Sequence, residues 1–224
     1  MTQDSTGAQA GNAIVRGHAA RLDIANLDTD QIMPKQFLRG IDKAGLDQGL
    51  LYDLRYDAQG VKRPEFVLNR AGFANVDVLL AGANYGCGSS REHAVWGMQQ
   101  FGFKAVVAES FGEIFYSNAM NNRLLLAMVS PEDARIFHAE AAELEAQGLP
   151  LALEIDVAGM TVRSAGHQAA FSISPRHQQM FLQGQDWIAA SMAHAPQIAA
   201  FAHAHWRRQP WVRDVAARVR SRLD

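Results

Sequence analysis

Among 224 residues there is a single cysteine, Cys87. No internal disulfide can form, and one thiol cannot by itself hold an iron–sulfur cluster, which takes three or four thiolates. Long apolar runs are also missing: none approaches the roughly 18 residues that span a bilayer. The N-terminus lacks the charged and apolar regions of a secretory signal, so a cytoplasmic protein is expected. Neither sign of charge dominates. A formal net charge of -2 provides no global attraction to nucleic acid or to an acidic membrane, and neither is expected as a partner. The eight histidines include no H-E-x-x-H or other spaced ligand set. Asp28 and Asp30 lack the rest of an EF-hand loop, so no metal site is expected. There is no internal repeat and no Gly/Ser linker. With 48% hydrophobic and 20% charged residues, the composition is that of one globular domain of ordinary size with a tail.

What is present is a glycine-punctuated loop, Gly82 to His93, between an apolar run at 76–81 that predicts a buried strand and a segment at 94–103 with helical apolar spacing. Gly86 and Gly88 allow positive φ or close backbone approach. Ser89 and Glu92 have the S-x-x-E spacing of a capping box, which predicts a helix start at Ser89 or Ser90. The first-turn N–H groups and the helix dipole would then favour an anion. Arg91 adds a planar cationic fork suited to a carboxylate or phosphate. No Lys-Ser/Thr follows the glycines and the spacing is not G-x-G-x-x-G, so a nucleotide or dinucleotide loop is not matched. His93 is expected to point away from the loop, and Cys87 to pack as a small side chain rather than act as a nucleophile.

Along the rest of the chain, residues 1–12 read as a disordered leader and 13–24 as one or two strands. Residues 26–34 form a polar loop held by Asx-turn bonds, with a short helix from Pro34 through Gly40. A turn-rich connector covers 53–64. Apolar runs at 105–108 and 124–129, separated by a helical pattern at 111–121, continue the strand–helix alternation of a parallel sheet with right-handed crossovers. A helix from Pro131 to Gln147 leads to short strands at 151–157, 160–164 and 169–173, expected to be mainly antiparallel. Another helix starts at Pro175, and 186–204 is helical in two pieces divided at Pro196. Residues 206–224 form a basic, amphipathic tail, expected to be a solvated helix or a subunit contact. The expected organisation is a leader at 1–12, one domain at 13–205 and the tail at 206–224.

The stretch Asn84-Tyr85-Gly86-Cys87-Gly88-Ser89-Ser90-Arg91-Glu92-His93-Ala94 resembles the signature of the swivelling domain of the aconitase superfamily. Asn26 to Leu38 and Ser110 to Asn118 fit the same resemblance in the same order, which runs more weakly from about Arg21 to Phe201. In length and motif order the chain is most similar to small subunits of two-subunit 3-isopropylmalate dehydratases. The resemblance implies an α/β fold: a three-layer β/β/α swivelling domain with a parallel or mixed core sheet and a helical C-terminal region. It implies a hydro-lyase that removes water from an alkylmalate and adds it back at the neighbouring carbon. Such chemistry needs a Lewis acid on the departing hydroxyl, cations on the carboxylates and a base for the proton beside a carboxylate. By position the base falls on Ser89 and the carboxylate contacts on Ser90 and Arg91. Asp30 falls in the active site, and Arg39 could be a second fork, although the spacing is shorter than in aconitases. With one cysteine here, the [4Fe–4S] cluster of the superfamily would sit on a large subunit, leaving no cofactor in this chain. Ala83, Arg123 and Leu126 depart from the usual pattern, leaving related hydro-lyases for homoaconitate, citramalate or dimethylmalate as alternatives. A non-catalytic anion-binding or regulatory module is the alternative of a different class.

Overall fold

A nine-residue strand of mixed polarity, β1 (Ile14–Leu22), and three short apolar runs, β2 (Val78–Ala81), β3 (Ala105–Ala108) and β4 (Leu125–Val129), make the parallel half of a sheet. Every residue of β2 and β3 is buried, as expected of parallel strands covered on both faces. The antiparallel half consists of β5 (Leu151–Asp156), β6 (Thr161–Arg163) and β7 (Gln168–Ser172). Here the pattern alternates: in β7, Ala169 and Phe171 are buried while Gln168, Ala170 and Ser172 are exposed. β1 pairs with β5 and β4 with β7, closing the sheet into a barrel in the order β1-β2-β3-β4-β7-β6-β5. The α/β class and mixed core sheet are therefore as expected, with 13–24 forming one strand. The computed structural model describes residues 13–38 and 44–220. The leader at 1–12 and Arg39 lie outside these residues.

The helices in chain order are α1 (Thr29–Ile32), α2 (Tyr52–Arg55), α3 (Glu92–Phe101), α4 (Glu113–Asn121), α5 (Pro131–Glu145), α6 (Pro175–Gln183), α7 (Trp187–Met192), α8 (Ala195–Arg208) and α9 (Val215–Arg220). α3 and α4 connect β2 to β3 and β3 to β4. The polar stretch at 26–34, expected as a loop, contains α1. Asp28 caps it by accepting from the Gln31 N–H at 2.8 Å, and Gln31 Oε1 accepts from the Asp28 N–H at 3.1 Å. This reciprocal box stabilises a single turn that periodicity cannot detect. Of the helix expected from Pro34 through Gly40, the described part is a 3₁₀ turn at Lys35–Leu38.

The described residues divide between Gly184 and Gln185 into two compact units. The first contains the barrel and α1–α6; the second contains α7–α9. The helix break expected at Pro196 occurs at Ala193 and His194. Pro196 lies in the first turn of α8, where an absent N–H costs no helical hydrogen bond. α8 continues past 206 to Arg208, followed by a 3₁₀ turn at Pro210–Val212 and then α9, so the basic segment is not one continuous helix.

Candidate functional site

The three stretches singled out in the sequence leave the C-terminal ends of β1, β2 and β3 and are joined by main-chain hydrogen bonds. The Asn26 N–H donates to the Ala83 carbonyl, and the Gly86 N–H to the Leu27 carbonyl, both at 2.8 Å. The Tyr85 N–H donates to the Ser110 carbonyl at 3.1 Å, and the Gly112 N–H to the Tyr85 carbonyl at 2.9 Å. Asn84 contributes side-chain and main-chain bonds, donating through Nδ2 to Asn26 Oδ1 at 2.8 Å and through its N–H to Ser110 Oγ at 2.9 Å. Tyr85 is the buried anchor, its ring edge-on to Phe115 at 5.4 Å. Burial pushes its phenol far up, which keeps it protonated.

The helix after the loop starts later than its sequence suggests. Arg91 occupies the N-cap position of α3 with extended backbone (φ -110, ψ 106), and no side chain caps the helix. The expected Ser89–Glu92 box is absent because the Ser89 main chain is held outside the helix and the Glu92 carboxylate is engaged elsewhere. The Ser89 carbonyl accepts from Thr29 Oγ1 and from the Arg91 N–H, each at 2.9 Å, which keeps 89–91 out of the helix. The Glu92 carboxylate accepts from Asn122 Nδ2 at 2.7 Å, and Asn122 Oδ1 accepts from Trp96 Nε1 at 3.0 Å. The hydroxyl of Ser89 is thus not used for capping, and Ser89 and Ser90 are both exposed.

Arg91 lies beside them with its side chain 14% exposed. Its Nη2 is paired with Asp30 Oδ1, and its Nη1 is enclosed without a hydrogen-bond partner among the described residues. Lys35 Nζ lies 3.6 Å from the other Asp30 oxygen. The fold therefore brings Ser89, Ser90, Arg91 and Asp30 together. His93 packs on Trp96 with ring centroids 4.9 Å apart, and Cys87 Sγ donates to the Asn26 carbonyl at 3.3 Å, so both have structural roles. Sequence reasoning missed Thr29, Lys35 and Asn122. In the sequence Thr29 reads as a spacer between two aspartates, and the available signal is the D-x-x-Q box that starts a helix there.

At this edge Gly88, Ser89 and Ser90 are exposed. Two clefts of about 490 and 430 Å³ lie elsewhere, the first beside Arg16, His18 and Asp77, the second beside Arg21, Asp23 and Arg70. Among the described residues no group of three or more His, Cys, Asp or Glu could hold a metal ion. One hydrogen-bonded thiol does not form a seat for an iron–sulfur cluster.

Behind the loop, at the end of β2, His138 Nε2 lies 3.2 Å from the Ala81 carbonyl and 4.0 Å from Asp23 Oδ1. Burial lowers its pKa, against smaller raising effects of Asp23 and the Ala81 carbonyl. Burial, and then the charge of Arg176, lowers His177. A neutral native imidazole costs stability once the unfolded chain binds its proton, at about pH 6.5 and below. The Ser130 hydroxyl and then His167 hold Asp133 below the usual carboxylate range; its contribution is present above that range and lost as pH falls through the lowered native value. We expect the melting temperature to start falling near pH 6.5 and to fall again in the carboxylate range, by about 2–4 °C per kcal/mol lost. His138→Gln should flatten the first decline. A variant curve parallel to wild type from pH 7 to 5 would refute the assignment to His138.

The chain is similar to known proteins over most of its length. The family model of the aconitase C-terminal domain matches residues 11–132. The 3-isopropylmalate dehydratase small subunit 1 of Chromobacterium violaceum is 55% identical over 209 residues, covering 93% of this chain and 97% of that one. The small subunit of Caulobacter vibrioides is 43% identical over 197 residues, covering 88% and 95%. Salmonella typhimurium small subunit 2 is 38% identical over 204 residues, covering 91% and 96%. Among solved structures, a 3-isopropylmalate dehydratase from Methanocaldococcus jannaschii superposes with a TM-score of 0.59 at 25% identity, covering 84% of this chain and 99% of that one.

Proposed function

Since the chain belongs to the family of 3-isopropylmalate dehydratase small subunits, we propose that it is the small subunit of a heteromeric hydro-lyase of leucine biosynthesis. The reaction interconverts 2-isopropylmalate and 3-isopropylmalate by dehydration and rehydration. The observation that carries this reading is the exposed Ser89–Ser90 pair beside the enclosed guanidinium of Arg91, at the mouth of α3.

The chemistry assigned to this chain is proton transfer and carboxylate binding. Ser89 takes the proton from the carbon beside a substrate carboxylate and returns it in the reverse sense. A free hydroxyl is too weak an acid to serve as its own base precursor, so its alkoxide needs positive potential nearby. The first-turn N–H groups of α3 and the fixed charge of Arg91 contribute it. Arg91 and Ser90 take a substrate carboxylate. The donor capacity of Nη1, unmet among the described residues, suits an anionic oxygen, while Asp30 orients the guanidinium from its other side. Arg39 is assigned a second carboxylate contact.

Proton transfer at exposed serines needs a cover. A large subunit closing over Ser89 and Ser90 excludes water, and the [4Fe–4S] cluster belongs to that subunit in this reading. No helix among the described residues is long and apolar enough to cross a membrane, and the proposed location is the cytoplasm. The test is to purify the chain with a cluster-binding large subunit and follow absorbance of the unsaturated intermediate on adding 3-isopropylmalate. Turnover supports the reading, whereas binding without turnover would favour a non-catalytic module. Parallel assays with citramalate, dimethylmalate and homoaconitate rank kcat/KM and identify the substrate.

The same assay tests the fork. Arg91→Lys keeps the charge but loses bidentate geometry, so KM should rise about tenfold or more with a smaller change in kcat. A KM within twofold of wild type would remove Arg91 from carboxylate binding.

A further inference from the structure

The short helix that carries Asp30 holds the serine loop by a second grip. Thr29 is 1% exposed, and both of its donors leave α1 for the loop at residues 87–89. Its main-chain N–H donates to the Cys87 carbonyl at 2.8 Å, and its Oγ1 hydroxyl to the Ser89 carbonyl at 2.9 Å. These two acceptors flank Gly88, which has φ +95 and, lacking a side chain, has access to more backbone conformations than its neighbours. A Cβ on Gly88 would lie 3.5 Å from Asp28 Cβ and 3.6 Å from Thr29 Oγ1, so the loop lies directly against α1. With the Asp30–Arg91 pair, α1 restrains the loop at residues 87, 89 and 91 in turn. None of these contacts uses the Ser89 hydroxyl, which remains exposed.

We propose that Thr29 is a positioning residue for the reaction at Ser89. Its hydroxyl fixes the peptide between Ser89 and Ser90, and through it the direction in which the Ser89 side chain leaves the backbone, relative to Arg91 and the first turn of α3. The conformational freedom of a glycine at 88 makes the restraint necessary. The Cys87 bond holds the chain on one side of the glycine, and among the described residues the Thr29 hydroxyl and the Arg91 N–H hold the Ser89 carbonyl on the other. A hydroxyl displaced by about 1 Å from its working place can cost on the order of 10²-fold in rate. The inference rests on the reading of Ser89 as the base.

The test uses the complex with the large subunit. Thr29→Val is nearly isosteric, keeps the N–H bond to Cys87 and removes only the bond to Ser89. It should lower kcat about 10- to 100-fold with KM within about twofold, and Thr29→Ser should restore kcat to within about threefold of wild type. In a Ser89→Ala background, Thr29→Val should cause no further loss, because a positioning residue has nothing left to position. Wild-type kcat for Thr29→Val beside an inactive Ser89→Ala would overturn the inference and leave the base assignment standing. Near wild-type turnover in Ser89→Ala itself would overturn both. Failure of both Thr29→Val and Thr29→Ala to assemble would mark Thr29 as a support of the whole fold and overturn the positioning role.

Discussion

Replacing Ser89 by alanine is expected to lower turnover of the assembled enzyme about 10²- to 10⁴-fold, the usual contribution of a positioned acid–base group. Stability and assembly should hardly change. The side chain is exposed, and the bonds that anchor this residue go to its main-chain carbonyl, which alanine keeps. A surface change of this kind is ordinarily worth within about 0.5 kcal/mol. Melting temperature, co-purification with the large subunit and steady-state kinetics on one preparation separate the two effects. Turnover within tenfold of wild type, in a complex that assembles normally, would remove Ser89 from proton transfer. Loss of assembly would instead make it an interface residue.

The largest effect on the fold is expected at Gly86. The residue has φ +75, and a Cβ placed there would lie 2.3 Å from Cγ of Phe115 and 2.8 Å from its Cβ. Phe115 is 1% exposed and braced by Tyr85, so it has little room to retreat. Gly86→Ala therefore incurs a left-handed backbone penalty of roughly 1–2 kcal/mol and an overpacking penalty of about 1–3 kcal/mol. Against a total stability of about 5–15 kcal/mol this is severe, and the melting temperature should drop by about 5–20 °C. Gly148 is a natural control. It has the same φ of +75, and a Cβ there would meet nothing within 4 Å, so Gly148→Ala should incur the backbone penalty alone. Equal melting temperatures for the two variants would show that the Phe115 contact relaxes at no cost. Gly86→Ala should also lower turnover, since the Gly86 carbonyl lies against Gly112 and the displaced loop leads to Ser89.

The elements differ in how readily they can be read from the chain. β2, β3 and β4 are plain in the sequence because strands buried on both faces must be apolar throughout. The β5 and β7 alternation is equally plain because one face meets water. α5 declares itself through Ser130 and Pro131, a cap and a first-turn proline that act within their own helix. The S-x-x-E signal at Ser89 misleads for the opposite reason. Thr29 holds the Ser89 carbonyl outside the helix and Asn122 takes the Glu92 carboxylate; both are distant in sequence, and local spacing carries no information about such partners. α1 is hidden by its length, since four residues show no periodicity, although its capping box is visible at Asp28 and Gln31.

By itself the sequence determined which residue types could do chemistry and in which loop they stand: two serines and an arginine after a pair of glycines, with a single thiol that cannot seat a cluster. Tertiary structure alone decided that Asp30 occupies one arm of Arg91, that α3 starts at Glu92, and that Thr29 reaches the carbonyl of Ser89. The physical reason is the range of the interactions. Burial and capping preferences are settled by neighbours along the chain, whereas hydrogen bonds and ion pairs across some 60 residues exist only once the barrel has brought the ends of β1 and β2 side by side.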